Sequence, residues 1–284
     1  MVVSDGLGGH LERDDRPIGT FDSGVGGLTV VRAMIDLLPH ESVLYFGDTA
    51  RFPYGQRSLE EIAGFAREIA AYLLSRDVKM LVVACNSIEV AAIEALTEAS
   101  GVPVAGVVDP GARAAVAATR NGRIGVIGTE ATIASGAYER AIARTGADVE
   151  LLTAACPAFV RFVERGDTTS PALRAHAEQY LAPLAAAGVD TLVLGCTHYP
   201  LLAGLLRLVM GPEVTLVSSA EETAKDVYAT LVGSGSLAAG PPRHEFVSSG
   251  DPELFRALGG MFLGPEVSEV RGATVAGVGS GPWT

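Results

Sequence analysis

The chain contains 284 residues, which is long for a single hydrophobic core, so we expect two domains or one large α/β domain. Apolar residues make up 48% and charged residues 19% of the sequence, a composition that supplies a core and excludes a disordered chain. The net charge of −12 disfavours nucleic acid and anionic membranes as partners, and a small anionic substrate would need a locally favourable pocket.

The three cysteines form no CxxC pair, which argues against a disulfide framework and against a zinc site, so we predict no bound metal. Free thiols fit a reducing cytoplasm, which is the predicted location. No apolar stretch approaches the about 20 residues that a membrane span needs. Residues 1–16 lack the apolar region of a signal peptide, and we expect loose tails at 1–16 and 271–284.

The first predicted strand, residues 17–21, ends at Asp22 and Ser23, and a glycine-rich turn then leads into a helix over 28–38. Such a turn is an anion-friendly site, because the unpaired N–H groups of the helix start point outward. A nucleotide-binding fingerprint is excluded, since position 29 is threonine where a third glycine is needed. A carboxylate beside a hydroxyl could instead bind an ammonium and a carboxylate together.

A second strand is predicted over 43–46, and it runs into a loop in which Pro53 and Gly55 flank Tyr54. Proline and glycine at these positions fix a turn. The turn could present backbone groups and a phenol to a pocket, or it could simply be a tight loop. The residues alone leave both interpretations open.

The remaining pattern predicts alternating helices and strands. Residues 58–61 and 219–222 both have the sequence of a capping box, the second opening a helix over 220–232. A buried strand is predicted over 102–108 and a helix over 171–187. Cys156, which precedes a proline, is interpreted as structural.

Two apolar runs, 79–84 and 190–195, each end in a cysteine followed by small or polar residues. This is the pattern of a buried parallel strand where it emerges toward a helix, and ligands bind at that edge of open α/β sheets. Packing alone does not explain Cys85 and Cys196, because the residues before each cysteine supply the buried surface. We interpret them as a pair of facing acid/base groups.

Matching strands recur at nearly one offset. Ile124 lies 106 positions after Ile18, and Cys196 lies 111 positions after Cys85. This spacing suggests an internal repeat of about half the chain. The predicted fold class is therefore α/β, with two similar doubly wound, mainly parallel-sheet domains facing each other across an active-site cleft.

Two facing thiols suit the inversion of a stereocentre that bears an acidic C–H, since one face loses a proton while the other gains one. One sulfur must start as thiolate and the other as thiol, so their pKa values must be tuned from the free value of about 8.5. His198 could exchange protons with Cys196, and Asp22 with Cys85. His198 could equally be a satisfied helix-cap histidine, and Glu164 a solvated charge at a helix end. No lysine in a Schiff-base setting and no phosphate loop for pyridoxal phosphate is apparent, which indicates a reaction without a cofactor.

At these residues the sequence resembles the glutamate racemases over about residues 17–268. The matching blocks, in the family's order, are Phe21-Asp-Ser-Gly-Val-Gly-Gly27, Pro53-Tyr-Gly55, Ala84-Cys-Asn-Ser87, Cys156-Pro-Ala-Phe-Val160 and Leu194-Gly-Cys-Thr-His-Tyr-Pro-Leu201. The resemblance implies a cytoplasmic, cofactor-independent bacterial enzyme that supplies D-glutamate for peptidoglycan. It also implies one domain of residues 17–108 plus 217–268, with a second domain of 109–216 inserted in it.

The resemblance assigns site residues as well. Cys85 would act on the D-enantiomer and Cys196 on the L-enantiomer, with Asp22, Glu164 and His198 assisting proton movement. The residues that would hold glutamate are Asp22, Ser23, Tyr54, Gly55, Asn86, Ser87, Thr197 and His198.

The chain departs from the family at Ile88, where a small residue is usual. A branched side chain there could crowd the substrate or shift the strand end. Two alternatives therefore stay open: an aspartate racemase or related two-cysteine enzyme, and a binding protein that has kept the fold, as some relatives are thought to bind DNA gyrase. His198 favours the glutamate enzyme over the aspartate enzyme. A homodimer is also left open.

Overall fold

The computed structural model describes residues 13–274. Its strands, in chain order, are β1 (Ile18–Asp22), β2 (Val43–Gly47), β3 (Met80–Val83), β4 (Val104–Ala105), β5 (Arg123–Gly128), β6 (Glu150–Ala155), β7 (Thr191–Gly195), β8 (Thr215–Val217), β9 (His244–Ser248) and β10 (Val270–Gly272). The α-helices are α1 (Leu28–Leu37), α2 (Leu59–Leu74), α3 (Asn86–Ala99), α4 (Val108–Ala118), α5 (Glu130–Ala134), α6 (Ala137–Thr145), α7 (Pro157–Glu164), α8 (Pro171–Ala186), α9 (Ala203–Met210), α10 (Ala220–Gly233) and α11 (Pro252–Leu263).

The strands form two sheets with the same local order. The first sheet runs β10-β9-β2-β1-β3-β4 and the second β6-β5-β7-β8. Every strand pair is parallel. In the first sheet β1 lies between β2 and β3, and β4 lies outside β3. In the second sheet β5 lies between β6 and β7, and β8 lies outside β7. The predicted α/β class with parallel sheets in two units is confirmed.

The central strands are buried along their whole length, as strands covered by helices on both faces must be. All residues of β1, β2, β3 and β7 are buried. Their apolar side chains belong to separate core clusters on the faces of each sheet. The carboxyl ends of β1, β3 and β7 are therefore held on rigid elements. No helix in the part of the chain that the structure describes is long and apolar enough to cross a bilayer.

Several boundaries differ from the sequence prediction. The strand expected over 102–108 is reduced to β4, and α4 begins at Val108, because the Glu89 carboxylate accepts the N–H groups of Val107 and Val108. The capping box at Ser58 is confirmed. The one at Ser219 is wrong: its side chain accepts no capping hydrogen bond, since its backbone is already helical.

The predicted loose tails are corrected where the structure describes them. Residues 271 and 272 complete β10, whose strand pairs with β9. Near the other end, the backbone carbonyl of Asp14 accepts a hydrogen bond of 2.6 Å from the buried Lys79, and Asp15 accepts N–H groups of Ala239 and Gly240. Residues 1–12 and 275–284 lie outside the described part.

Candidate active site

One cavity lies between the carboxyl ends of the strands of the two sheets. It is lined by Ser23, Phe52, Pro53, Tyr54, Gly55, Gln56, Cys85, Asn86, Ser87, Thr129, Glu130, Pro157, Val160, Arg161, Gly195, Cys196, Thr197 and His198. Both candidate cysteines face it, one from each sheet, and both are free and buried. The cavity wall therefore holds one thiol from each repeat.

Cys85 follows β3 and is the N-cap residue of α3. Its Sγ lies 3.7 Å from the Ser23 hydroxyl oxygen. Burial raises the pKa of the Cys85 thiol well above its usual value, and the negative charge of Asp22 raises it further. Backbone N–H groups of Ile88 and Ser23 point at the sulfur and oppose this effect. Cys85 therefore rests as a neutral thiol beside donors that can stabilise a thiolate when one forms.

Cys196 follows β7 and is the first member of a short chain of polar contacts. Its Sγ lies 3.9 Å from Nδ1 of His198, whose Nε2 lies 2.6 Å from Oε1 of Glu164. Burial disfavours the charged imidazole, but the hydrogen bonds to Cys196 and Glu164 outweigh it and raise the pKa of His198 to about 10. His198 is thus a cation at neutral pH, held between a sulfur and a carboxylate.

Asp22 lies behind the cavity and does not line it. It is fully buried at the end of β1, and its Oδ2 accepts the N–H of Gly27 at 2.8 Å and the Thr197 hydroxyl at 3.5 Å. The Gly27 N–H at the start of α1 is therefore taken by the protein's own carboxylate and is not open to a ligand. Among residues 13–274, Oδ1 of Asp22 has no hydrogen-bond partner.

The glycine-rich turn allows the end of β7 in the second sheet to lie close to the end of β1 in the first. A Cβ at Gly26 would lie 2.5 Å from Oγ1 of Thr197 and 2.6 Å from Nδ1 of His198, which is closer than real Cβ contacts. Glycine at this position lets the turn that follows Asp22 meet the strand end that carries Cys196. The turn reaches the cavity only through Ser23.

The loop around Tyr54 forms part of the cavity wall, as one of the two sequence interpretations allowed. Tyr54 is buried, and its hydroxyl donates to the Asp48 carboxylate. A Cβ at Gly55 would lie 2.8 Å from Cβ of Thr129, so this position also needs a glycine for close approach of the second sheet.

Asn86 and Ser87, the first two residues of α3, are buried and line the cavity beside Cys85. The Ser87 hydroxyl is hydrogen-bonded to the Thr129 hydroxyl at 2.9 Å, which joins the two halves across the cavity. Ile88, by contrast, is fully buried in the core cluster behind β3 and is not a lining residue. Its branched side chain fills the core and does not narrow the cavity.

The sequence analysis did not select Thr129, Phe52 or Arg161, which also line the cavity. Thr129 had a detectable signal, because it lies 106 positions after Ser23, the same offset that relates Ile124 to Ile18. The offset places it at the end of β5 as Ser23 is placed at the end of β1. Glu164 does not line the cavity and reaches it only through His198.

Within residues 13–274 no cluster of three or more histidine, cysteine, aspartate or glutamate side chains could hold a metal ion. The polar groups of the site are thiols, hydroxyls, the amides of Gln56 and Asn86, the imidazole–carboxylate pair of His198 and Glu164, and the charged side chains of Glu130 and Arg161. These groups can move protons and bind carboxylate or ammonium groups.

Comparison with known proteins gives one consistent family. The model of the Asp/Glu/hydantoin racemase family matches residues 26–227. The chain is 56% identical over 273 residues to a glutamate racemase of Beutenbergia cavernae, covering 91% of this chain and 93% of that protein. Its structure is similar to that of glutamate racemase isoform RacE1 from Bacillus anthracis, with a TM-score of 0.87, 41% identity, and coverage of 94% of this chain and 100% of that one. It is also similar to a Francisella tularensis glutamate racemase in complex with D-glutamate, with a TM-score of 0.86, 33% identity, and coverage of 93% and 99%.

Proposed function

Because this chain belongs to the Asp/Glu/hydantoin racemase family, and within it to the glutamate racemases, we propose that it interconverts L-glutamate and D-glutamate by a two-thiol mechanism. The observation that carries the mechanism is the placement of Cys85 and Cys196 at equivalent strand ends of the two sheets, on one cavity. Two bases on opposite sides of one carbon can invert it without turning the substrate.

In the direction from L- to D-glutamate, the Cys196 thiolate removes the α-proton and becomes a thiol. The electron pair of the broken C–H bond passes to the α-carbon and its carboxylate, and the Cys85 thiol then gives its proton to the opposite face. Cys85 is left as the thiolate, which is the form needed to start from D-glutamate. The two directions are thus one path read from its two ends.

The resting state fits this sequence of steps. The raised pKa of Cys85 keeps that thiol protonated and ready to donate. The His198 cation, 3.9 Å from Cys196, can balance a negative sulfur on the other side of the cavity. We assign Asp22, whose negative charge acts on Cys85, to assist proton exchange at that thiol, and we assign His198 and Glu164 to Cys196.

The substrate's carboxylates and ammonium are assigned to the polar groups of the cavity wall. Ser23, Asn86, Ser87 and Thr197 offer hydroxyl or amide groups, and the Tyr54–Gly55 loop offers backbone groups. Asp22 does not reach the cavity wall, so its buried carboxylate acts on the substrate's ammonium only through its electrostatic field. No step requires a cofactor.

The wider assignment follows the family. The product D-glutamate supplies peptidoglycan synthesis in the cytoplasm. We propose domains of residues 17–108 plus 217–268 and of 109–216, an assignment supported by the return of β9 and β10 to the first sheet. Homodimer formation and gyrase binding stay predictions of the resemblance.

Exchange of the α-hydrogen in heavy water tests substrate and mechanism together. We expect each enantiomer of glutamate to gain deuterium at the α-carbon, measured by NMR or mass spectrometry, while it racemises. Cys85→Ser and Cys196→Ser should each lower racemisation by at least a thousandfold, because a serine hydroxyl ionises far less readily than a thiol and supplies almost no anionic base at neutral pH.

The controls separate the alternatives. Cys156→Ser, which changes a buried thiol outside the cavity, should keep near-native turnover. Near-native turnover in either of the other two variants would show that its thiol is not one of the bases. Absence of exchange with both enantiomers would leave only a binding protein, and a much higher rate with aspartate would overturn the choice of substrate.

A further inference from the structure

Tyr138 lies behind the cavity and packs against two residues that adjoin the candidate catalytic thiols: Asn86, which follows Cys85, and Gly195, which precedes Cys196. It is on α6, in the second half of the molecule, and only 1% of its surface is exposed. Its hydroxyl donates a hydrogen bond of 2.8 Å to Oδ1 of Asn86, the residue after Cys85 in the first half. The side chain thus joins the two halves directly behind the cavity.

The ring of Tyr138 is packed against the strand that carries the other thiol. A Cβ added to Gly195, the residue before Cys196, would lie 3.1 Å from Cε2 of Tyr138 and 2.8 Å from the carbonyl oxygen of Ile127. The glycine therefore lets the ring rest directly on the backbone of β7. A phenylalanine would fill the same space, so packing alone does not explain the hydroxyl.

In the structure the Tyr138 hydroxyl donates to the oxygen of the Asn86 amide, and this contact holds the amide in that orientation. An asparagine side chain has one oxygen that accepts and one NH₂ group that donates. Because the Tyr138 hydroxyl occupies Oδ1, the NH₂ group is the part of the amide left for the cavity, which Asn86 lines. An NH₂ group can donate to a carboxylate of glutamate, whereas an amide turned the other way would present oxygen to oxygen.

We propose that Tyr138 is a positioning residue. It holds the Asn86 amide with its NH₂ group toward a substrate carboxylate, and it fixes the position of that amide relative to β7, the strand that precedes Cys196. The proposal rests on the proposed function, since it names the part of that site that selects a carboxylate. Burial raises the pKa of Tyr138, so its hydroxyl stays a donor over the working pH range.

Tyr138→Phe tests the proposal, because it keeps the ring and removes only the hydroxyl. We expect the KM for both enantiomers to rise about five- to tenfold, the effect of losing one neutral hydrogen bond, with kcat within about twofold of wild type. In an Asn86→Ala background the same substitution should change KM by less than about twofold, because the group that it orients is gone.

Tyr199→Phe is the matched control. Tyr199 is equally buried, and its hydroxyl donates to the carbonyl oxygen of Cys156 at 3.0 Å, away from Asn86. A KM in Tyr138→Phe within about twofold of wild type would overturn the proposal. So would an equal KM rise in the Tyr199 variant, or an undiminished effect in the Asn86→Ala background.

Asn86→Asp provides a second test that does not depend on the tyrosine variant folding. The aspartate keeps an oxygen to accept the Tyr138 hydroxyl but offers oxygen where the NH₂ group was. We expect KM to rise more than tenfold, and an unchanged KM would show that the NH₂ group does not face the substrate. Wild-type exchange of the α-hydrogen, measured alongside, tests the proposed function separately.

Discussion

His198 owes its charge to two neighbours on different elements. Cys196 lies on the same strand end, whereas Glu164 is the last residue of α7. Since burial alone would lower the pKa of an imidazole, the cation exists only because both partners accept its protons. The Glu164 carboxylate, 34 positions from His198 in sequence, thus helps to set the charge of the imidazole beside the Cys196 sulfur.

Glu164→Gln should lower the His198 pKa from about 10 toward or below 6.5, because the amide removes the negative charge that supports the cation. The free energy of unfolding that the His198–Glu164 pair contributes is fully present below pH 6.5 and is lost as pH rises through about 10, so the variant should differ most from wild type below pH 6.5 and least above about pH 10.

NMR titration of the His198 ring measures the shift, and kcat against pH should show an alkaline limb displaced to lower pH. His176, which is stacked on Tyr180 and is not ion-paired with Glu164, provides the internal control signal. An unchanged His198 titration would remove Glu164 from the proton path.

At the scale of elements, α3 and α4 are coupled by a buried carboxylate. Glu89 lies on α3, and its carboxylate accepts the N–H groups of Val107 and Val108 at the start of α4. A Cβ at Gly106 would lie 2.4 Å from this carboxylate, so the connection between the two sheets is built closely around it. Burial raises the pKa of Glu89 to about 7, although the N–H groups oppose that effect.

Glu89→Gln should change how stability depends on pH. The folded wild type holds a proton on Glu89 up to about pH 7, whereas the unfolded chain releases it near 4.5, so wild-type stability falls as pH rises between these values. Glutamine keeps an acceptor oxygen and cannot ionise. Relative to wild type, the variant should therefore gain about 3 kcal/mol in the free energy of unfolding between pH 4.5 and pH 8.

Urea unfolding at several pH values measures this difference. Glu98→Gln, which makes the same chemical change at an exposed position near the other end of α3, is the control, and the response of Glu89→Gln is read against it. A flat difference for Glu89→Gln would mean that the carboxylate is ionised throughout.

The sequence predicted elements well where one physical cause dominates. Apolar runs ending at Cys85 and Cys196 became β3 and β7, because buried parallel strands must be apolar on both faces. The prediction failed over 102–108, where a distant carboxylate ends the strand early. It also failed at Ser219, where local sequence favours a cap that the backbone does not form. The first failure depends on a contact 18 and 19 positions away along the chain, and the second on a backbone conformation that the capping pattern does not specify.

For the site, local motifs identified many of the residues but did not show which of them line the cavity and which lie behind it. Asp22 was predicted to hold the substrate and to assist proton movement, and Glu164 to assist proton movement, yet neither side chain lines the cavity. Tyr138 carries no motif, and its contact with Asn86 spans 52 positions between the two halves. Such contacts follow from how the sheets face each other, which is set by the whole fold.

At the scale of the whole molecule, an acidic protein has to admit an acidic substrate. The chain carries a net charge of −12, so the long-range field repels glutamate. Arg161 and Glu130 are the oppositely charged, exposed side chains of the cavity wall, and the Arg161 guanidinium donates to Gln56 across the mouth at 3.1 Å. Arg161 thus offers a local cation at the entrance.

Arg161→Gln should lower kcat/KM several-fold at low ionic strength, with a smaller loss in 0.5 M salt, because added ions screen the interaction of exposed charges. Steady-state racemisation at a series of salt concentrations measures the effect. Arg256→Gln makes the same change in net charge on α11, where the arginine is paired with Glu253. Equal responses of the two variants would assign the effect to net charge and not to the entrance.

The strand order that the two sheets share bears on the ancestry of the molecule. Such a repetition is what the fusion of two copies of one gene leaves behind, and a pair of identical subunits would have offered the same sulfur to both mirror-image forms of the amino acid. After fusion each copy could diverge, one toward a buried carboxylate and the other toward an imidazolium. On this account, the different polar groups behind Cys85 and Cys196 arose after the fusion, in a protein that began as a dimer of identical subunits.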